Sequence, residues 1–264
     1  MYYLNSSSII QLEILRMPLP LVSIIMPSFN SEATIAESIE SVQSQSYLNW
    51  ELIITDDVST DNTLFIIESF AKNDSRIKVH TLDCNSGAGV ARNKSIEKSN
   101  GRFIAFLDSD DLWVNEKLTV QIPFMLSRKI PFSFSFYDKF TSDGDCGTVE
   151  APMTASYDLL LYNNVIGCLT AIYDTSILGK CYMPSIRKRQ DLGLWLSILD
   201  RGYIAQCVPQ VLAKYRIDTG MTRNKFSVLK YQWEFYRSVL KLGYIKSLYT
   251  FSLYAYYGTV KYLR

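Results

Sequence analysis

The run Phe103-Ile104-Ala105-Phe106-Leu107 passes straight into Asp108-Ser109-Asp110-Asp111, and this junction constrains the fold more than any other part of the chain. Five consecutive apolar, β-prone residues read as a buried strand. Three carboxylates then crowd into four residues at its carboxyl end. Such groups repel one another and lose solvation unless a cation or a donor-rich ligand sits among them. Mg2+ or Mn2+ suits the place, because it takes one or two carboxylates and fills its shell with phosphate and water oxygens. The same residues also fit a turn, with Asp and Ser capping a helix that starts near Leu112.

Three earlier segments repeat the theme. Val22-Ser23-Ile24-Ile25-Met26 is a hydrophobic strand stopped by Pro27, followed by Ser28-Phe29-Asn30 and a helix beginning between Glu32 and Ile35. Glu51-Leu52-Ile53-Ile54-Thr55 runs into Asp56-Asp57, with a helix from about Thr63. Gly87-Ala88-Gly89-Val90-Ala91-Arg92-Asn93 leads into a helix through Ile96. Strands alternating with helices imply a parallel sheet, and polar residues gathered at strand ends imply a ligand crevice there. The Gly87-Ala88-Gly89 stretch does not make a dinucleotide site. Arg92 stands where the third glycine belongs, and the motif follows the third strand instead of opening the first βαβ unit. No Walker A sequence is present.

In this order the four segments resemble the family 2 glycosyltransferases of the GT-A fold, over roughly Leu21 to Arg216. The resemblance implies an α/β chain with a mostly parallel central sheet flanked by helices and a C-terminal helical appendage. It divides the chain into an N-terminal extension (1–20), a catalytic domain (21–216) and a basic, Tyr-rich helical region (217–264). Within the catalytic domain, 21–111 would bind the nucleotide sugar and 112–216 the acceptor. Asp110 matches the metal-bound carboxylate of the family's D-x-D motif, for Mn2+ or Mg2+. Asp108 would lie near the donor ribose or sugar, with Ser109 between them, and Asp57 would accept a uracil N–H. Pro27, Phe29 and Asn30 would wall the base and ribose, Arg92 would lie near the phosphates, and Arg216 would reach the diphosphate from a loop running on through Thr219 to Lys225. Asp56 would order its own turn, and Asp111 would cap a helix. Val58 departs from the family's usual glycine, which predicts a turn without positive φ.

In the second half, Arg189-Gln190-Asp191-Leu192-Gly193-Leu194-Trp195-Leu196 starts a helix with Leu194, Trp195 and Ile198 on one face. Asp191 matches the family's general base, with Gln190 in place of the usual Glu. The resemblance implies single-displacement, inverting transfer from a nucleotide-diphosphate sugar to a hydroxyl of a saccharide or polyprenyl-linked acceptor, in bacterial surface-polysaccharide synthesis. Arg187-Lys188-Arg189 could steer a phosphate-bearing acceptor. A sugar nucleotidyltransferase would need a glycine-rich loop after the first strand, where Pro27-Ser28-Phe29-Asn30 stands. A binding-only protein on this fold would have no use for Asp191.

Composition sets the remaining bounds. A net charge of +1 over 264 residues argues against a nucleic-acid partner. The five Cys (84, 146, 168, 181 and 207) form no C-x-x-C pair and read as reduced thiols. His80 reads as an ordinary strand residue. No signal peptide and no bilayer-length apolar stretch is evident, so a cytoplasmic protein is expected, peripheral on the inner face of the plasma membrane. Thr141 to Ala155 reads as a loop. From Arg223 onward, eight basic residues face Glu234 alone, giving +7 and leaving −6 for the remainder; eight of the 18 Tyr lie there too. Phe226, Leu229, Trp233, Tyr236 and Leu240 recur at helical spacing, and a second helix is expected from about Ile245 to Leu263. Basic amphipathic helices of this kind suit a membrane interface, or dock on the catalytic domain.

Overall fold

The protein is described from a computed structural model covering residues 19–218 and 225–263. Most of the expected N-terminal extension and of the loop from Thr219 lies outside the described residues.

The first half is a regular alternation. β1 (Val22–Ser28), α1 (Ile35–Gln43), β2 (Trp50–Asp56), α2 (Thr63–Asn73), β3 (Ile77–Thr81), α3 (Ala88–Lys98) and β4 (Phe103–Phe106) follow one another. The second half is less regular. It contains β5 (Leu112–Trp113), α4 (Lys117–Arg128), β6 (Phe132–Thr141), β7 (Gly144–Val149), β8 (Thr154–Ala155) and α5 (Tyr157–Tyr162). A 3-10 turn (Cys168–Thr170), β9 (Ile172–Asp174), α6 (Thr175–Leu178), α7 (Gln190–Leu199) and β10 (Ala205–Arg216) complete it. The tail adds α8 (Lys225–Glu234), a π-helical turn (Phe235–Val239) and α9 (Tyr244–Leu263).

One sheet organises both halves, in the order β3-β2-β1-β4-β9-β6-β10-β5, with β7 on β6 and β8 on β10. β1, β2, β3 and β4 pair in parallel, as do β6 and β10, while β9 runs against both β4 and β6. β1, β2, β3, β4, β6 and β10 therefore share one direction, and the GT-A architecture expected from the sequence is observed.

β1, β2, β4 and β9 are buried along their whole length because both sheet faces are covered there. Ile24 and Met26 of β1 enter the core on one face, whereas Ile25 enters the core on the other. β4 divides likewise, with Phe103 and Ala105 opposite Ile104 and Phe106. This is the two-residue alternation of a pleated strand. Gly101 is required just before β4, because a Cβ there would lie 2.5 Å from the Ser23 amide nitrogen.

Four expectations need correction. β1 continues through Pro27 to Ser28. Its last partner on β4 is Ile25 opposite Phe106, so the proline lies beyond the paired stretch and costs no hydrogen bond on that side. Val58 does adopt positive φ, 64°. The Asp56 carboxylate accepts from the Ser59 amide at 2.8 Å and from the Ser59 hydroxyl at 2.5 Å, closing the turn over Val58 despite its branched side chain. No helix starts near Leu112. Leu112 and Trp113 pair with β10, and the helix begins at Lys117. Finally, 141–155 is largely ordered into the β6–β7 hairpin and β8.

Candidate active site

The strand order reverses between β1 and β4, and a crevice opens beyond their carboxyl ends, where such sheets bind ligands. The polar residues there are fastened to one another across motifs. Asp57, buried, accepts from the amides of Ser86 and Gly87, each at 2.7 Å, and so holds the glycine loop ahead of α3. Asn30, at φ 47°, accepts from the Thr60 amide at 2.8 Å, and its own amide donates to Ser59. Phe29 beside it is exposed. Ser109 meets the Ser31 hydroxyl at 2.8 Å, and its carbonyl accepts from Thr34. Asp56 takes the ordering role expected of it, also accepting from Ser28.

The acid cluster has two cationic partners. Arg92, in the second turn of α3, is buried and donates to Asp108. Burial works against its charge, but the neighbouring Asp108 and then Asp191 hold the proton more firmly than usual. Arg216 ends β10. Its Nε donates to the Asp110 carbonyl at 2.9 Å, its backbone amide to Asp111 at 3.0 Å, and its terminal nitrogen to Glu37. Asp111 is thus a buried strut to β10 and not a helix cap, which corrects the sequence reading. Burial, then the charges of Asp108 and Asp110, push its pKa well above the usual carboxylate range.

That repulsion is the local test of whether a divalent cation fits. Three carboxylates with hard oxygen donors, one of them destabilised as an anion by the other two, would be relieved by a cation among them. Among the described residues, no three His, Cys, Asp or Glu side chains converge on one metal point. The donor set therefore suits an ion that takes one or two protein carboxylates and completes its shell with phosphate and water.

Beside the cluster lies a cavity of about 680 Å³ lined by Asp108, Asp111 and Asp191. Asp191 sits in the first turn of α7, where the positive end of the helix favours a carboxylate. Trp195, one turn on, packs edge-on against Phe106 of β4 at 5.3 Å and against Phe132 of β6 at 5.0 Å. The strand that delivers Asp108 and Asp110 thus also seats the helix that delivers Asp191. A second link joins Gly89 in α3 to Gln190. A Cβ on Gly89 would lie 2.8 Å from Gln190 Cγ, so only glycine lets the two helix starts approach.

The rest of the cavity wall was not legible in the sequence. Tyr137, Glu150, Asn163, Asn164, Tyr215 and Tyr257 come from β6, two loops, β10 and α9. Topology alone brings them together, and no local spacing marks them. Burial and then the Asp111, Asp110 and Asp108 charges raise the Tyr215 phenol to about 12, so it is a neutral donor at this wall. The tail docks here through one of its faces. Phe235 and Tyr236 are buried in the core beside α7, Tyr254 accepts from Arg189 at 2.6 Å, and Tyr257 stacks on Tyr162 at 5.1 Å.

Comparison with known proteins agrees with this geometry. The model of the family described as "Glycosyl transferase family 2" matches residues 23–172. "Putative teichuronic acid biosynthesis glycosyltransferase TuaG" of Bacillus subtilis (strain 168) is 44% identical over 239 residues, 89% of this chain and 95% of that protein. The Escherichia coli protein WfgD, named as a UDP-Glc:alpha-D-GlcNAc-diphosphoundecaprenol beta-1,3-glucosyltransferase, is 45% identical over 216 residues, 81% of this chain and 84% of its own length. Among solved structures, S. aureus TarS 1-349 in complex with UDP superposes with a TM-score of 0.66, covering 89% of this chain and 70% of that one. At 21% identity that match speaks to the fold alone.

Proposed function

We propose that this chain, which belongs to glycosyl transferase family 2, transfers a sugar from a uridine-diphosphate donor to a hydroxyl of a lipid-linked saccharide, with inversion, in bacterial surface-polysaccharide synthesis. The observation that carries the reading is the shared cavity: Asp191 on one wall, Asp108 and Asp111 on another, and room for a sugar between them. WfgD's named acceptor, a sugar on diphosphoundecaprenol, supports the lipid-linked assignment, and the Arg187-Lys188-Arg189 stretch ahead of α7 supplies charge for such a diphosphate.

The residues divide the work. Pro27, Phe29 and Asn30 flank the base and ribose. The Asp57 oxygens already hold two amides, and each keeps a lone pair for a uracil N–H. Arg92 fixes Asp108 beside the sugar, with Ser109 next to it, and Arg216 holds the Asp110 carbonyl and the Asp111 carboxylate in place, from where its charge would serve the diphosphate. Asp110 would hold Mn2+ or Mg2+, which when bound supplies positive charge to the departing diphosphate. Asp191 takes the proton from the acceptor hydroxyl. As that oxygen bonds to the anomeric carbon, the bond from the carbon to the diphosphate oxygen breaks, and the electron pair leaves with the diphosphate. One displacement from the opposite face inverts the configuration, and no protein nucleophile is consumed.

Calorimetric titration with UDP, GDP, dTDP and CMP, in Mn2+ and then in EDTA, tests this reading. UDP is expected to bind tightest and to lose affinity in EDTA, and Asp110→Ala is expected to bind UDP equally weakly with or without the metal. A folded wild-type protein that binds none of the four would overturn the donor assignment.

A further inference from the structure

α9 has two unlike faces. Ser247, Thr250 and the partly buried Phe251 and Tyr254 face the domain. Ile245, Leu248 and Tyr249, three and four residues apart, and Tyr256, two turns further on, lie on the opposite side as a single helical stripe. They are 85%, 52%, 66% and 62% exposed, and Ser252 between them is exposed as well. Exposed aliphatic side chains grouped in a stripe usually mark a contact surface. Arg237, Lys241 and Lys246, all exposed, cluster around the start of α9, within the segment that carries +7. Among the described residues, no helix is long and apolar enough to cross a membrane.

We infer that this face of α9 is a docking surface for the headgroup region of an anionic phospholipid bilayer, with α9 lying flat on it. The chemistry matches on each count. Ile245 and Leu248 would enter the acyl boundary, Tyr249 and Tyr256 would sit at headgroup level with their hydroxyls wet, and the three basic side chains would meet lipid phosphates. A second copy of this chain is a poorer occupant, because it would bring the same basic cluster against itself. The placement has a consequence for the acceptor. Tyr257 is one residue past Tyr256, about 100° around the helix, and it lines the cavity that holds Asp191. The cavity wall thus borders the docking face, so an acceptor anchored in the bilayer reaches Asp191 from the membrane side. The surface itself does not depend on the transferase reading, because lipid binding needs neither donor nor acceptor.

Co-sedimentation of the full chain with sucrose-loaded vesicles tests it. Wild-type protein is expected to pellet with phosphatidylcholine vesicles containing phosphatidylglycerol, and to stay in solution with phosphatidylcholine alone. Lys241→Gln with Lys246→Gln should weaken partitioning by about fivefold per charge, and Ile245→Ser with Tyr249→Ser by about tenfold or more. All four side chains are exposed, and unchanged melting temperatures will show the fold intact. Wild type remaining in solution with the anionic vesicles would overturn the inference, as would either pair of substitutions binding like wild type. So would a wild-type dimer that Ile245→Ser with Tyr249→Ser converts to monomer.

Discussion

The two sides of the crevice are built on different principles. On the donor side, polar groups are charged and tied to one another across sequence motifs: Asp57 to the glycine loop, Asp108 to Arg92, Asp110 and Asp111 to Arg216. On the proposed acceptor side, apart from Asp191 and Glu150, the wall is made of neutral amides, phenols and apolar side chains from remote segments. A nucleoside diphosphate carries the same charge and base edges whatever sugar it bears, so a rigid charged frame suits it. An acceptor differs from one polysaccharide to the next, and a wall drawn from several loops can change without disturbing the frame. Asp191 is the one charged group placed to cross from wall to chemistry.

Asp191→Asn therefore makes the largest break. It keeps the shape and the helix start but cannot take a proton. Transfer turnover is expected to fall about 10²–10⁴-fold, the usual worth of a positioned base, while UDP affinity by calorimetry stays at the wild-type value. Full turnover in this variant would remove Asp191 from the mechanism. Lost UDP affinity would mean that the two sides are not separable as described.

The same contrast explains what could be read from the sequence. The donor frame was legible because each piece is contiguous: an apolar strand, then the polar residues that its end presents. A parallel sheet places all such ends on one edge, so order along the chain was enough to locate Asp57, Asp108 and Asp110 together. Side-chain partners were harder to foresee. Asp111 looked like a helix cap, yet it pairs with β10, which lies over a hundred residues away in sequence. Val58 looked like a reason to avoid positive φ, whereas the Asp56 bonds to Ser59 impose it. The place of Asp191 in the first turn of a helix was legible through its family motif and the apolar face of that helix. The neutral wall was not, because Asn163, Asn164 and Tyr257 carry no local pattern and meet only through the fold.

Gly89 is a point where the two sides touch, and substituting it sharpens the comparison. Alanine would ordinarily favour a helix at this position. Here its Cβ would sit 2.8 Å from Gln190 Cγ, on a buried side chain whose amide is tied to the Arg187 carbonyl at 2.9 Å. Gln190 must shift and carry the adjacent Asp191 with it. Gly89→Ala is expected to lower turnover about tenfold, since small misplacements of a reacting group are costly, with UDP affinity unchanged. Adding Gln190→Ala removes the Cγ contact and should recover most of the loss, which a double-mutant cycle will register as coupling. If the two substitutions simply add, the donor frame does not position the base.

The smallest effect on transfer, and the cleanest electrostatic contrast, comes from Lys117. On the donor side Arg92 has a carboxylate partner, whereas Lys117, fully buried, has only neutral ones among the described residues: the Gln121 side-chain oxygen at 2.8 Å and the Thr170 carbonyl at 3.2 Å. It also lies 5.1 Å from the Trp113 ring, under the turn whose Cys168 and Leu169 line the cavity. Burial lowers its pKa from 10.5 to about 7. Between those values the unfolded chain keeps the proton that the folded protein has released, so stability rises with pH across the window. The penalty is complete below about pH 7 and gone near 10.5. Lys117→Met, similar in volume and without charge, should remove this slope, which is at most about 1.4 kcal/mol per pH unit. Urea denaturation of both proteins at pH 7, 8 and 9 checks it. The variant is expected to be the more stable at pH 7, and its advantage is expected to shrink as pH rises. A constant difference across the series would show that Lys117 is folded in with its proton, and that the acceptor side carries a buried charge after all.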